Sequence, residues 1–264
     1  MKEQLLKTAI RCVEVGGGVL LEYFGRLHDA TQKNENTRDL VTKVDLVIED
    51  RIKNIILEAN PSHNVIAEET GNLAVKSPYC WHVDPIDGTV NYSQGIPLCA
   101  VSVGLEFEGE IIVGAIGNPF NSEVYYASKG EGAFLNGQKL SVSVKSQVND
   151  GLYIAAFPSA SRGINSFQYQ TFGFLNDKSR GVLRIGSAAL ALAYLAAGRV
   201  DGVWGRGLHS WDVVAGLILA KEAGGRFTNH EGNSLTNYGD SYVASNGLVH
   251  DELLDALFRS KGIN

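Results

Sequence analysis

Two carboxylates three residues apart are the part of this chain best suited to chemistry. The stretch 84–89 reads Asp-Pro-Ile-Asp-Gly-Thr, and the apolar residues around Trp81 and Val83 predict a strand that ends near Asp84. A strand end with two acids, flexible backbone and a hydroxyl can hold a divalent cation against an anion. Asp-Pro and Asp-Gly are also common turn dipeptides, so the stretch alone leaves a turn and a site equally open.

Three further acids lie in similar contexts. Glu68 follows a short strand predicted over 64–67, Asp212 begins an apolar helix, and Asp45 lies near the start of another helix. Oxygen ligands suit hard cations such as Mg²⁺, and clustered carboxylates repel one another unless cations neutralise them. Two such cations about 4 Å apart can clamp the oxygens of a phosphoryl group in transfer. Spacing alone does not establish that these acids meet, and Asp45 could equally be a helix cap.

Composition narrows the class of protein. The chain has 264 residues, enough for one large domain or two joined halves, and its 23 basic and 29 acidic residues give a net charge of −6. That charge argues against nucleic acid or an anionic membrane as a general partner. We find no run of the roughly 18 apolar residues that a membrane helix needs, and no apolar centre of a signal peptide. Three cysteines far apart argue against a disulfide framework and fit a reduced cytoplasm.

The first part of the chain predicts helices followed by a sheet. Apolar periodicity predicts a helix over 3–24, in which the triple glycine at 16–18 is structural, and a second helix that ends before Pro61. The polar residues 25–40 between them predict a loop or hairpin. Alternating strands and turn residues predict a mostly antiparallel sheet between about 64 and 144.

The second part alternates strands with helices. We predict strands over 152–156, 182–185 and 200–204, and helices around 163–177, 186–197 and 211–223. Such alternation predicts α/β layering. We therefore expect an N-terminal α+β half, 1–147, that carries the metal site, and a C-terminal α/β half, 148–264, that carries Asp212 and the substrate side, in one compact unit.

Five motifs, taken in order along nearly the whole chain, resemble the inositol monophosphatase family. They are its first signature (Asp84–Thr89), its acidic pair (Glu68-Glu69), its second signature (Trp211–Gly216), its substrate-side helix start (Gly186–Ala189) and its internal hairpin (Gly132–Gly137). The resemblance implies an α/β fold, the αβαβα sandwich that this family shares with fructose-1,6-bisphosphatase. It also implies Mg²⁺-dependent hydrolysis of a small phosphate monoester by direct attack of water.

The resemblance also implies a metal site of two to three Mg²⁺ ions. Glu68, Asp84 and the Ile86 carbonyl would bind the first ion. Asp84, Asp87 and Asp212 would bind the second, and Glu68 would help to hold a third through water.

Catalytic and substrate-binding roles follow from the same resemblance. Thr89 and Asp45 would orient and activate the attacking water, with Glu68 assisting. The backbone N–H groups of Gly88 and Thr89 would hold the phosphate beside Asp87. The leaving-group side would be lined by residues at the predicted helix start, which are Gly186, Ser187 and Ala188.

One departure from the family pattern bears on the substrate. Members that prefer inositol phosphate carry a glutamate seven residues before the second-signature aspartate, and this chain has Gly205 there, followed by Arg206. Arg206 could bind a second phosphate or be solvated. Inositol monophosphate or a related sugar phosphate is the leading expectation. The alternatives are fructose bisphosphate, histidinol phosphate, a nucleoside bisphosphate, or a regulatory protein that uses the fold to bind a partner. The resemblance further implies a lithium-sensitive homodimer.

Overall fold

The computed structural model describes residues 2–24, 31–32, 40–41, 43–157, 167–235, 238 and 241–259. Its helices are α1 (Lys2–Tyr23), α2 (Lys43–Ala59), α3 (Thr89–Ser93), α4 (Phe167–Lys178), α5 (Ala188–Ala196), α6 (Ser210–Glu222) and α7 (His250–Arg259). Its strands are β1 (Thr31–Gln32), β2 (Leu40–Val41), β3 (Asn64–Ala67), β4 (Gly71–Asn72), β5 (Tyr79–Asp87), β6 (Ala100–Phe107), β7 (Glu110–Asn118), β8 (Glu123–Ser128), β9 (Gly132–Leu135), β10 (Gln138–Lys139), β11 (Leu152–Ala156), β12 (Gly181–Leu183), β13 (Gly202–Arg206), β14 (Arg226–Thr228) and β15 (Ser241–Ser245).

Two large sheets organise the described part of the chain. Eight strands form the first, in the order β10-β9-β8-β7-β6-β5-β3-β4, and only the β3–β5 pair in it is parallel. Five strands form the second, in the order β12-β11-β13-β15-β14, in which β11 is parallel to both of its neighbours. The predicted antiparallel block and the α/β alternation after it are both confirmed.

The helices make five layers with these sheets. Helices α1 and α2 cover one face of the eight-stranded sheet, and α6 packs on its other face beside α5. Alternate residues of the second sheet separate its two faces: Ile154 and Val203 cluster with α5 and α6, while Tyr153 and Trp204 cluster with α4 and α7. The order is therefore helix, sheet, helix, sheet, helix, which confirms the predicted αβαβα sandwich.

Close packing of α6 on the first sheet depends on two glycines, which have no side chain. A Cβ at Gly104 would lie 2.6 Å from Val214 Cγ1, and one at Gly114 would lie 2.6 Å from the Ala215 carbonyl oxygen. Glycine at both positions lets α6 approach the sheet directly. This approach brings the first turn of α6 to strand β5.

Several boundaries differ from the sequence prediction. Strand β5 runs on to Asp87 instead of ending near Asp84, because it keeps its pairing with β6 through an irregular register. Strand β13 begins at Gly202, two residues later than predicted. Most of the predicted 25–40 loop, and the predicted start of α4 at 163, lie outside the described residues.

Apolar packing also crosses the predicted boundary between the two halves. Ile116 and Tyr125 of the first sheet share one buried cluster with Leu190 of α5 and Leu219 of α6. The division at residues 147 and 148 stays a prediction. Within the described residues, no helix has the length and apolar character that crossing a membrane requires.

Candidate active site

The centre of the candidate site consists of three carboxylates from two elements. Asp84 and Asp87 lie on β5, Asp212 lies in the first turn of α6, and each offers an oxygen within 4.8 Å of the others. Residues three apart on a regular strand point to opposite faces of a sheet. The register between β5 and β6 shifts between Asp84 and Asp87, and such an irregularity re-aims a side chain so that both acids reach one site.

Two further acids act on this cluster electrostatically. Burial raises the pKa of Asp84 well above its usual range, and the charges of Glu68, Asp87, Asp212 and Asp45 raise it further. Glu68 follows β3, the parallel neighbour of β5, and its N–H donates to the Val83 carbonyl over 3.2 Å. The five acids predicted from the sequence therefore share one environment.

The chemistry of the cluster fits a divalent cation. Burial raises the pKa of Asp212 to about 8 and that of Asp87 to about 6, with the charge of Glu68 adding to both. Asp84 Oδ1 is buried and has no hydrogen-bond partner among the described residues. Two buried carboxylates and one half-buried carboxylate that resist ionisation together, one with an unused oxygen, form a donor set of the kind that hard cations bind.

Asp87 also connects the first sheet to helix α5. Its carboxylate accepts hydrogen bonds from the Ser187 hydroxyl, from the Ala188 N–H over 3.1 Å and from the Ala189 N–H over 2.6 Å. Ser187 is the N-cap of α5 and accepts the Leu190 N–H over 3.2 Å. The helix start predicted for the leaving-group side is therefore held directly against the acid cluster.

The turn after β5 brings a hydroxyl next to a carbonyl. Gly88 has φ of 98°, and a Cβ there would lie 2.8 Å from the Leu98 carbonyl oxygen, so this position suits only glycine. Thr89 opens the short helix α3, and its hydroxyl donates to the Ile86 carbonyl over 2.9 Å. Two groups that the resemblance assigns to metal and water, Ile86 and Thr89, are thus adjacent.

A cavity of about 480 Å³ opens at these residues. Its acid side includes Glu68, Asp87, Thr89 and Asp212. The other lining residues include a group that we call the leaving-group side: Ser187, Ala188, Ala156, Phe157, Arg184, Leu208, His209 and Trp211. Gly88 and Gly186 also line it.

Arg184 is a cavity residue that the sequence analysis missed. Its guanidinium donates to the Phe157 carbonyl over 3.1 Å and lies 4.9 Å from the centre of the Phe157 ring. Arg206, predicted from sequence to contact the substrate, lies instead 5.9 Å from the centre of the Phe167 ring and is not among the described residues lining this cavity. The only signal for Arg184 was its place in a predicted strand just before Gly186.

Glu49 is a second residue that the sequence analysis missed, and it holds the turn that carries Glu68. It lies one helical turn after Asp45 on α2 and is 1% exposed. Its carboxylate accepts the Glu69 N–H over 2.8 Å, the Thr70 N–H over 3.1 Å and the Thr70 hydroxyl. Helix α2 therefore carries Asp45 and also anchors the neighbouring acid.

His82 joins β5 to α6 behind the cluster. Its Nδ1 lies 2.9 Å from the Ser210 hydroxyl, and its Nε2 lies 3.0 Å from Glu106 Oε2. Burial alone would lower the pKa of His82, but hydrogen bonds with Cys80 and Glu106 raise it to about 9. A charged His82 paired with Glu106 thus ties the strand of Asp84 to the first residue of the helix of Asp212.

Comparison with known proteins finds one family along nearly the whole chain. The profile of the inositol monophosphatase family matches residues 1–262. The inositol-1-monophosphatase of Synechocystis is 35% identical over 96% of this chain and 88% of its own length. The fructose-1,6-bisphosphatase/inositol-1-monophosphatase of Aquifex aeolicus is 37% identical over 86% of both chains. The solved inositol monophosphatase of Anabaena superimposes with a TM-score of 0.88, at 36% identity, over 97% of this chain and 96% of its own.

Proposed function

The chain belongs to the inositol monophosphatase family of phosphatases, and we propose that it hydrolyses a small sugar phosphate with Mg²⁺ held by its buried acids. The observation that carries the metal assignment is the set of three carboxylates within 4.8 Å, of which Asp84 has a buried oxygen without a hydrogen-bond partner among the described residues. Such a set is stable in its ionised form only with cations nearby.

We propose that two to three Mg²⁺ ions bind here. Glu68, Asp84 and the Ile86 carbonyl would hold the first, Asp84, Asp87 and Asp212 the second, and Glu68 a third through water. When bound, such ions neutralise developing charge on phosphoryl oxygens and make a nearby water more acidic.

The remaining roles belong to the chain itself. Thr89 and Asp45 would orient the attacking water, since Thr89 lies at the cavity and Asp45 is buried within the same electrostatic cluster. The N–H groups of Gly88 and Thr89 would bind the phosphate. Gly186, Ser187 and Ala188, fixed by the bonds of α5 to Asp87, would contact the alcohol that leaves.

Phosphate release from a panel of phosphomonoesters tests this proposal. We expect release by the wild type only with Mg²⁺, and its loss in Asp87→Asn. Asp177→Asn is the matched control, because Asp177 is exposed on α4 and lies outside the cavity lining. Release that persists without metal, or unchanged in Asp87→Asn, would refute the mechanism.

A second candidate substrate is a sugar bisphosphate. Arg184 lines the cavity, so an anionic group on the alcohol portion would meet a cation there. A relative from Aquifex aeolicus carries both fructose-1,6-bisphosphatase and inositol-1-monophosphatase in its name, which supports this alternative.

We further propose a cytoplasmic homodimer that lithium inhibits. These properties rest on the family resemblance. Light scattering of the purified chain tests the dimer, and the rate of phosphate release in lithium chloride against sodium chloride tests inhibition by Li⁺.

A further inference from the structure

We propose that Asn91 is a positioning residue for the reaction, because its side-chain amide joins the turn that carries Thr89 to the loop that leads into α5. The two segments come from different sheets, and each would hold one end of the bond that breaks. The inference deepens the phosphatase function proposed above and rests on it. It assigns to Asn91 the alignment of the phosphate with its leaving group.

The amide nitrogen of Asn91 bonds to one carbonyl from each sheet. Its Nδ2 donates to the Leu98 carbonyl oxygen over 2.7 Å and to the Ile185 carbonyl oxygen over 2.7 Å. Leu98 lies just before β6 of the first sheet, and Ile185 lies just after β12 of the second. An amide nitrogen carries two hydrogens, so this side chain uses both of its donors to connect the sheets.

The amide also packs closely against the backbone of the cavity. Gly186 has φ of 77°, and a Cβ there would lie 2.9 Å from Asn91 Nδ2. The Leu98 carbonyl oxygen that accepts from Asn91 would lie 2.8 Å from a Cβ at Gly88. Asn91 therefore touches Gly186 directly and is linked to Gly88 through one carbonyl. All three of these residues line the cavity.

This connection uses none of the groups assigned to metal binding. The same two segments are also joined through Asp87, whose carboxylate accepts the Ala188 and Ala189 N–H groups. A cation at Asp87 would compete for those oxygen lone pairs. The two bonds of Asn91 go to carbonyls that have no role in the proposed metal site. Asn91 therefore holds the segments together in the metal-free protein and in the metal-bound protein alike.

The relative position of these segments matters for direct attack by water. Phosphoryl transfer needs the attacking oxygen, the phosphorus and the leaving oxygen roughly in line. In the proposed function Gly88 and Thr89 would bind the phosphate, and Gly186 and Ser187 would contact the leaving alcohol. A misplacement of about 1 Å between such groups can cost about 10²-fold in rate. Loss of the Asn91 amide should therefore lower kcat and leave metal binding intact.

Two substitutions at Asn91 test this by kinetics. Asn91→Ala removes both donors, and Asn91→Asp keeps the size but sets carboxylate oxygens against two carbonyl oxygens. With an inositol monophosphate and saturating Mg²⁺, we expect both variants to lower kcat about 10²-fold, with KM within about threefold. Mg²⁺ affinity by calorimetry should stay within about twofold. Asn54→Ala, exposed on α2 and outside the cavity lining, is the matched control and should change none of these quantities.

Hydrogen exchange in a chelator measures the connection without catalysis. A peptide that covers residues 184–190 should exchange at least about tenfold faster in Asn91→Ala than in the wild type, because the loop before α5 loses its tie to the first sheet. A peptide from α2 should exchange equally in both proteins. In the wild type, the 184–190 peptide should exchange at rates within about threefold of each other with and without Mg²⁺.

Each outcome decides the proposal. If Mg²⁺ affinity falls in parallel with kcat, Asn91 acts through the metal site and the proposal is overturned. Wild-type kcat in Asn91→Asp would also overturn it, because only the size of the side chain would then matter. If neither variant folds, wild-type exchange at 184–190 that accelerates well beyond threefold on removal of Mg²⁺ would show that metal holds the segments. A wild type that releases no phosphate would instead refute the proposed phosphatase, and the exchange experiment would still test the role of Asn91.

Discussion

The two sides of the cavity are built in opposite ways. The acid side gathers carboxylates that repel one another and fixes them from outside through hydrogen bonds of Glu49, His82 and the start of α5. The leaving-group side is mostly apolar and aromatic, with His209 and one arginine, Arg184, among its described lining residues. This difference suggests that the reaction depends on anchored charge, whereas the choice of substrate depends on which side chains fit.

The largest effect should come from the carboxylate that the resemblance places between two ions. We expect Asp84→Asn to lower kcat/KM by at least about 10³-fold on every substrate, because a cation site loses its shared ligand. The same substitution removes a carboxyl whose ionised form is opposed by burial and by its acidic neighbours, so at neutral pH the variant without metal should melt at a higher temperature than the wild type.

Rate assays and thermal melts in a chelator measure both effects. A loss of kcat/KM that differs between substrates would mean that Asp84 also recognises the leaving group. The contrast between the acid side and the leaving-group side would then not hold. A metal-free variant that melts lower than the wild type would contradict the repulsion within the cluster.

A smaller loss should follow from weakening the anchor of Glu68. We expect Glu49→Gln to lower Mg²⁺ affinity about 10- to 100-fold, because groups that orient metal ligands typically have effects of this size. At saturating Mg²⁺ its kcat should approach that of the wild type. Calorimetric titration gives the affinity directly, with Glu58→Gln, exposed on the same helix, as the control. Unchanged Mg²⁺ affinity in the folded variant would show that the hydrogen bonds of Glu49 do not support metal binding by Glu68.

The stability of the metal-free protein should depend on pH through the carboxyl groups of the acid side. The pKa of Asp87 is raised to about 6 and that of Asp212 to about 8, from an ordinary value of 3.8. Between the ordinary value of 3.8 and each raised value, the folded chain holds a proton that the unfolded chain has already released. The contribution of these two acids to stability therefore falls as pH rises from about 4 to about 8. We expect a drop in Tm on the order of 5 °C over this range without metal, and a smaller drop with Mg²⁺. Stability that rises with pH in chelator would contradict the raised pKa values.

The smallest effect should come from the link between β5 and α6. Ser210→Ala removes the hydroxyl that meets His82, and we expect it to destabilise the fold by about 1 kcal/mol. It should raise the apparent KM for Mg²⁺ only about two- to threefold, because Ser102 also bonds the start of α6 through the Trp211 carbonyl. Denaturant unfolding and Mg²⁺ titration of activity measure both effects. Ser93→Ala, which removes an exposed hydroxyl whose bond to the Val90 carbonyl stays within α3, is the control for loss of a hydroxyl.

Much of the fold could be predicted because its signals are local. Apolar periodicity marked α1, and the Asn136-Gly137 turn marked the β9–β10 hairpin. The predicted strand boundaries were wrong where pairing with another strand overrode the local sequence pattern. Strand β5, for example, continues through Pro85 because β6 pairs with Asp84 before the proline and with Asp87 after it.

The site could be predicted only in part, for a geometric reason. Acids at strand and helix ends indicated a metal site, but spacing alone places Asp84 and Asp87 on opposite faces, and only the irregular β5–β6 register unites them. Glu49 gave no signal, because its effect depends on hydrogen bonds from the Glu69 and Thr70 N–H groups, which lie 20 and 21 residues further along the chain. Contacts of that kind are set by how α2 packs on the sheet.

Calorimetric titration of Mg²⁺ into the wild type and Asp84→Asn, at pH 7 in buffers of different ionisation enthalpy, tests the central claim most directly. The account predicts two or more bound ions in the wild type, with protons released on binding because Asp212, whose pKa is raised to about 8, would lose its proton to the buffer when a cation binds. It predicts that Asp84→Asn loses most of this binding. Equal Mg²⁺ binding by both proteins, or binding without proton release, would contradict the assignment of the buried acids as the metal site.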